Sequence, residues 1–239
     1  MVSKSQRKQI IQLKQKKYRS TTGLFVAEGE KVVNEFLSAG WSCEYLFTLD
    51  EHFYPKAITI GMEVMKQITH FKNPSPVLGV FKVLEKKISE KEEITIAVDG
   101  INDPGNLGTI IRLCDWFGVN ELICSSKTVD CYNSKVVQAT MGSLVRVQCR
   151  YEKDFASYLK SLGKPIFGAD GNGSSIYQSS LVSKATYIFG NESHGLSKEV
   201  EEILTHKISI PNYRTGGGAE SLNVASAAAI FLSELFRAS

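Results

Sequence analysis

From Ile94 onward, short apolar runs alternate with stretches of helical spacing, a rhythm that few architectures can accommodate. Ile94–Val98, Glu121–Cys124, Val145–Cys149, Pro165–Gly168, Tyr187–Phe189 and Lys207–Ile210 read as strands. Asn106–Phe117, Ser134–Thr140, Asp154–Leu162 and Lys198–Leu204 read as helices between them, and Ser221–Arg237 closes the chain as a longer one. Short strands alternating with helices imply a parallel sheet covered on both faces. The expected fold class is therefore α/β.

The preceding stretch is organised differently. Eight of the twelve residues from Lys82 to Glu93 are charged, and they follow Asn73-Pro-Ser-Pro76 and the strand-like Val77–Phe81. A charged linker there predicts two domains, 1–88 and 89–239. The first reads as helix (Ser5–Lys17), helix (Glu30–Ala39), strand (Tyr45–Thr48) and mixed short elements, a small α/β unit. Hydrophobic residues at 43% and charged residues at 22% exclude a disordered or fibrous chain. No apolar run reaches the roughly 18 residues of a membrane span. The N-terminus lacks the apolar core of a signal peptide, so a cytoplasmic protein with no membrane partner is expected.

Charge is distributed unevenly. Lys4, Arg7, Lys8, Lys14, Lys16, Lys17 and Arg19 occur in the first 19 residues without one acid, although the whole chain nets only +3. A basic segment on a mildly acidic body suits a polyanion such as nucleic acid, or is simply a solvated helix face. The five cysteines form no C-x-x-C pair and the four histidines are scattered, so neither a disulfide framework nor a metal site is predicted.

In a parallel sheet, chemistry collects in the loops at the strand C-terminal ends. The loop from Asp99 to Gly108 spaces its glycines G-x4-G-x2-G, which is not the dinucleotide fingerprint, and no P-loop or G-x-S-x-G elbow occurs. Three polar loops remain: Asp103-Pro-Gly-Asn-Leu-Gly-Thr-Ile-Ile-Arg112, Gly190-Asn-Glu-Ser-His-Gly-Leu-Ser197, and Pro211-Asn-Tyr-Arg-Thr-Gly-Gly-Gly-Ala-Glu-Ser-Leu-Asn-Val224. In this order they resemble the three signature motifs of the SpoU/TrmH branch of the SPOUT RNA methyltransferases. Phe25-Val-Ala-Glu-Gly-Glu-Lys31 is similar to the opening of that family's L30e-like substrate-binding domain. The resemblance implies a parallel-sheet domain with a C-terminal trefoil knot, S-adenosylmethionine as methyl donor, structured RNA as substrate, and a homodimer.

It also implies active-site roles for Asn106, Arg112, Glu192, Ser221 and Asn223. Each has a plainer reading from the residues alone. Asn106 and Ser221 suit helix N-caps, Arg112 can snorkel from an apolar helix, and Glu192 can be a solvated turn carboxylate. Helix geometry alone lets Ser221 cap the last helix while Asn223 faces the loop, whereas under the resemblance both belong to the catalytic site and Glu192 would hold Arg112 by a bidentate pair. Ser193-His194 departs from the family's usual Gly-Lys or Gly-Glu, and His194 is tempting as a base. The triple glycine Gly216–Gly218 would let the backbone pack around a ligand. Carried-over cofactor positions are Gly190, Ile210 and Leu222, with Thr140, Met141 and Gly142 as a further wall.

The expected activity is ribose 2′-O-methylation, of ribosomal RNA more readily than transfer RNA. Base methylation and a non-catalytic RNA-binding protein are the alternatives.

Overall fold

A computed structural model describes residues 2–84, 93–214 and 221–237. The charged stretch from Lys82 to Glu93 falls largely outside these residues, and Gly216–Gly218 fall wholly outside them. Two compact units are present: the described residues of Met1–Lys87 with Asp130–Val145, and those of Ile88–Val129 with Arg146–Ser239.

The first unit opens on α1 (Lys4–Gln12), whose Ser3 and Gln6 form a capping box. The single helix expected over Ser5–Lys17 is broken, and α2 (Lys16–Thr22) starts afresh. Arg19 supplies a physical reason. Its Nη1 donates to the carbonyls of Leu13 and Lys14 at 2.8 and 2.9 Å, capturing acceptors that a continuing helix would use. Beyond them lie β1 (Leu24–Glu28), α3 (Glu30–Ser38), β2 (Cys43–Thr48), β3 (Ile58–Thr59), α4 (Met62–Ile68) and β4 (Val77–Lys82). The strands form one sheet in the order β1-β4-β2-β3. Ile10, Leu13, Val26, Phe47, Met65 and Leu78 share one core, while Phe25 packs its ring against Phe36, Trp41 and Tyr132.

Tyr132 belongs to Asp130–Val145, far along the chain from its neighbours in this unit. The segment carries α6 (Ser134–Thr140) against β1. Two partly buried polar contacts fix it: Arg19 pairs with Asp130, and His70 lies between Ser134 Oγ and the Ile10 carbonyl.

The second unit contains β5 (Thr95–Val98), α5 (Pro104–Trp116), β6 (Glu121–Ser125), β7 (Gln148–Glu152), α7 (Phe155–Ser161), β8 (Ile166–Ser175), β9 (Thr186–Phe189), α8 (Lys198–Glu201), β10 (His206–Ser209) and α9 (Val224–Phe236). Its six strands pair in the order β10-β8-β9-β5-β6-β7, every pair parallel. Strand β7 starts later than the expected Val145, because Ser143–Val145 closes as a 3-10 turn. Ala97, Ile123, Ile166 and Ile188 pack with Phe155 and Leu159 of α7 and Val200 of α8. Phe189, the next residue on β9, meets Phe231 of α9 edge-on. Alternate side chains thus enter opposite faces, and helices cover both, as the apolar strands predict.

Chain direction creates the crevice. The chain leaves β5 for β6, on one side of the sheet, whereas β9 leads through α8 to β10 on the other. Adjacent parallel strands whose connections diverge leave an opening beyond their C-terminal ends. The loops after β5 and β9 both enter it.

Candidate active site

The first loop turns into α5 with Asp103 as N-cap, its Oδ1 accepting the Asn106 N–H at 2.8 Å, and with Pro104 inside the first turn. Asn106 is therefore not the cap, and its side chain is available for other contacts. The loop after β9 folds back on itself. Asn191 and Gly195 exchange backbone hydrogen bonds at 2.8 and 2.9 Å, with Gly195 at φ +69°. A Cβ at Gly190 would lie 2.4 Å from the Gly195 backbone, so glycine is required at that close approach. The third loop enters α9 through Asn223, whose Oδ1 accepts from the N–H groups of Ala225 and Ser226 at 2.9 and 3.2 Å. Asn223, not Ser221, caps the helix; Ser221 precedes it in an exposed position.

These loops meet in one hydrogen-bonded line. Asn223 Nδ2 donates to Asn106 Oδ1 at 2.9 Å, and Asn106 Nδ2 donates to Glu192 Oε1 at 2.8 Å. Both ends fix its polarity. Backbone N–H groups can only donate to Asn223, and an ionised carboxylate can only accept from Asn106, so each amide has one orientation. Asn191 joins from the side, directing Nδ2 toward Glu192 Oε2 at 3.4 Å and donating to the Gly100 carbonyl at 2.7 Å. Farther along the loop after β9, Ser197 donates its N–H at 2.9 Å to the buried Asp99, which directly follows β5.

The expected Arg112–Glu192 pair is absent among the described residues. Glu192 holds Asn106 instead, and Arg112, exposed on α5, forms no ion pair there. At 100° per residue, Arg112 lies about 240° around the helix from Asn106, so the two point different ways.

Comparison with known proteins agrees with this geometry. Residues 93–233 match the model of the SpoU rRNA methylase family, and residues 4–93 match an MRM3-like substrate-binding domain. The chain belongs to the SpoU rRNA methylase family. Among relatives of this methylase, a Bacillus subtilis protein named as a 23S rRNA (guanosine(2553)-2′-O)-methyltransferase is 29% identical over 230 residues, spanning 92% of this chain and 91% of its own. An RNA methyltransferase of the TrmH family from Porphyromonas gingivalis superposes with a TM-score of 0.87 at 35% identity, covering both chains fully. An AdoMet-bound rRNA methyltransferase from Sinorhizobium meliloti does so at 0.84 and 31%, covering 100% of this chain and 97% of its own.

Of the methylase's expected cofactor positions, Gly190 and Ile210 follow β9 and β10, and Leu222 leaves 52% of its surface exposed just before α9. Thr140, Met141 and Gly142 lie in the other unit, where they end α6. Thr140 is buried, Met141 is left-handed at φ +52°, and Gly142 at φ +97° leaves no room for a Cβ beside Glu35. Sequence reading missed Asp103, Asn191 and Asp99. An Asp before proline at a helix start would have signalled Asp103; the other two carry no local signature. No helix among the described residues is long and apolar enough to cross a membrane.

Proposed function

We infer that this protein transfers a methyl group from S-adenosylmethionine to a ribose 2′-hydroxyl of ribosomal RNA. The observation that carries the reading is the Asn223–Asn106–Glu192 line, which gathers all three family motifs at the C-terminal edge of the sheet. Such preorganised polar groups aid transfer because they need no rearrangement as charge develops.

The residues present fit the methyl donor. Half-exposed Leu222 and partly buried Ile210 offer apolar contact for an adenine, and side-chain-free Gly190 offers bare backbone. When bound, S-adenosylmethionine supplies the electrophilic sulfonium methyl. Arg112, exposed and unpaired among the described residues, is assigned to the ribose or its phosphate. A guanidinium offers five donors and no acceptor, so it positions the hydroxyl without taking its proton, which leaves to phosphate or water. Ser221 stands at the rim of the site, two residues before the Asn223 cap.

Within the first unit, Lys4, Lys8, Lys14, Lys16 and Lys17 are exposed along α1 and α2. They supply phosphate contacts, in keeping with a substrate-binding domain over 1–88 and a methyltransferase domain over 89–239. We extend the reading to a homodimer, supported by Trp116 standing 84% exposed on α5, to the family's trefoil knot, and to a cytoplasmic location.

Labelled S-adenosylmethionine, the purified protein and separately fractionated ribosomal and transfer RNA test the reading. Nucleoside digestion should release a 2′-O-methyl nucleoside from the ribosomal fraction. Label on a base, or label confined to transfer RNA, would overturn it.

A further inference from the structure

We propose that Asn191 is the positioning residue of this site, fixing the Glu192 carboxylate and through it the Asn106 amide. The proposal deepens the functional reading above and, as a statement about catalysis, rests on it.

Every polar side-chain atom of Asn191 has a partner. Nδ2 donates to the Gly100 carbonyl at 2.7 Å. That carbonyl is itself anchored: Gly100 sits at φ +69°, and its N–H donates to Ser125 Oγ at 2.9 Å and Thr128 Oγ1 at 3.1 Å. Both hydroxyl residues are buried at the end of β6 and just beyond it. Oδ1 accepts the N–H groups of Ser193 and His194 at 2.9 and 3.1 Å, and His194 Nδ1 lies 3.1 Å away. One side chain therefore ties the loop after β9 to the end of β5 and also holds the loop's own turn.

Glu192 lies between these attachments. It is exposed, and an exposed glutamate ordinarily exchanges rotamers within nanoseconds. Here Asn106 donates to Oε1 at 2.8 Å and Asn191 approaches Oε2 at 3.4 Å, so the carboxylate is addressed from both sides. Without Asn191, Asn106 alone among the described residues would restrain it, and the amide at the centre of the line would lose a fixed acceptor. Asparagine suits the position because it needs both a donor and an acceptor at this reach. Aspartate lacks the donor, serine the reach, and alanine both.

The test compares Asn191→Asp and Asn191→Ala with the wild-type full chain, using labelled S-adenosylmethionine and ribosomal RNA. Asn191→Asp keeps an acceptor for the Ser193 and His194 N–H groups, so the turn survives. It also sets an oxygen against the Gly100 carbonyl and Glu192. At pH 8 its kcat should fall roughly 30- to 100-fold, the scale that a misplaced group costs, with KM for RNA within about threefold. As pH falls toward about 5.5, the ratio of variant to wild-type kcat should rise, because protonation of the new carboxyl restores a donor and Glu192 beside it favours that proton. Asn191→Ala should lose kcat at every pH without recovery.

The proposal is overturned if the Asn191→Asp ratio is flat with pH, if kcat stays within about threefold of wild type, or if the loss lies entirely in KM. Should Asn191→Ala fail to fold, Asn191→Asp decides alone. The side-chain amide signal of Asn106 in a nitrogen-15 spectrum gives a readout independent of turnover. It should move in Asn191→Asp, and an unmoved signal counts against the proposal even if the wild type methylates no RNA.

Discussion

Asn106 and Asn223 are 117 residues apart in the chain, yet their side-chain amides meet at 2.9 Å. The contact links the first turn of one helix to the N-cap of another, and Glu192 extends it from a third loop at 2.8 Å. Both helix starts are set by capping chemistry, so backbone features that form locally aim the two amides.

Replacing Asn106 by Ala should reduce kcat by about 100-fold or more, comparable with losing one preorganised polar group. Its side-chain hydrogen bonds are exposed, so stability should change by less than about 1 kcal/mol. Single-turnover methyl transfer and urea unfolding measure the two effects separately.

At position 223, stability and activity can be separated. Asn223→Ala removes the α9 cap and should cost about 1 kcal/mol. Asn223→Ser should restore most of that stability, because a hydroxyl also accepts from the first-turn N–H groups. It is too short to replace the Nδ2 contact to Asn106, so kcat should stay low. A serine variant as active as wild type would reduce Asn223 to a cap.

Arg112→Ala should abolish transfer while unfolding and S-adenosylmethionine binding remain near wild type. No ion pair within the described residues is broken, so there is little folded structure for the change to disturb. Arg112→Lys should restore little activity, because an ammonium cannot reproduce a planar fork on a ribose or phosphate. Isothermal titration of the cofactor and turnover on ribosomal RNA check both statements.

The site was readable where the chemistry is local and obscure where it is not. Short apolar strands and polar loops announced the parallel sheet, and the motifs brought Asn106, Glu192 and Asn223 forward together. The Arg112–Glu192 pairing, implied by family resemblance, is not formed among the described residues: Glu192 takes Asn106 instead, and the helical phase of α5 turns Arg112 away from Asn106. Ser221 and Asn223 are both good caps in sequence; only the position at which α9 begins distinguishes them. The break after α1 depends on Arg19, a residue outside α1 and the following turn. The packing of Asp130–Val145 with the first unit is a long-range event to which no periodicity points.

Arg19 also yields a stability prediction. Its guanidinium is 5% exposed, donates to Asp130 Oδ2 through Nε at 2.8 Å and through Nη2, and satisfies the carbonyls of Leu13 and Lys14. Arg19→Ala leaves a mostly buried carboxylate and two carbonyls without that donor, which should cost about 3–5 kcal/mol. Asp130→Asn retains an acceptor and should cost less. Of the seven basic residues near the N-terminus, Arg19 is therefore structural, so denaturant unfolding will register its loss far more than that of exposed Lys8 or Lys16.

His70 makes the fold sensitive to acid. Burial pushes its pKa down to about 4, with Lys14 and Arg19 nearby adding to the effect and the Ile10 carbonyl opposing it. The unfolded chain binds a proton near pH 6.5, whereas the folded one resists it to about 4. Stability from the neutral ring is thus complete above about pH 6.5 and is lost progressively as pH falls toward 4. The shift corresponds to about 3 kcal/mol. Burial raises the Glu28 carboxyl, which hydrogen-bonds the His70 N–H, so its protonation favours the folded state and offsets part of the loss near the lower end of that window. His70→Gln cannot titrate. Its urea midpoint should be lower than wild type at pH 8 but should fall less between pH 6.5 and 4. Parallel curves for the two proteins across that range would show that His70 does not set the acid sensitivity.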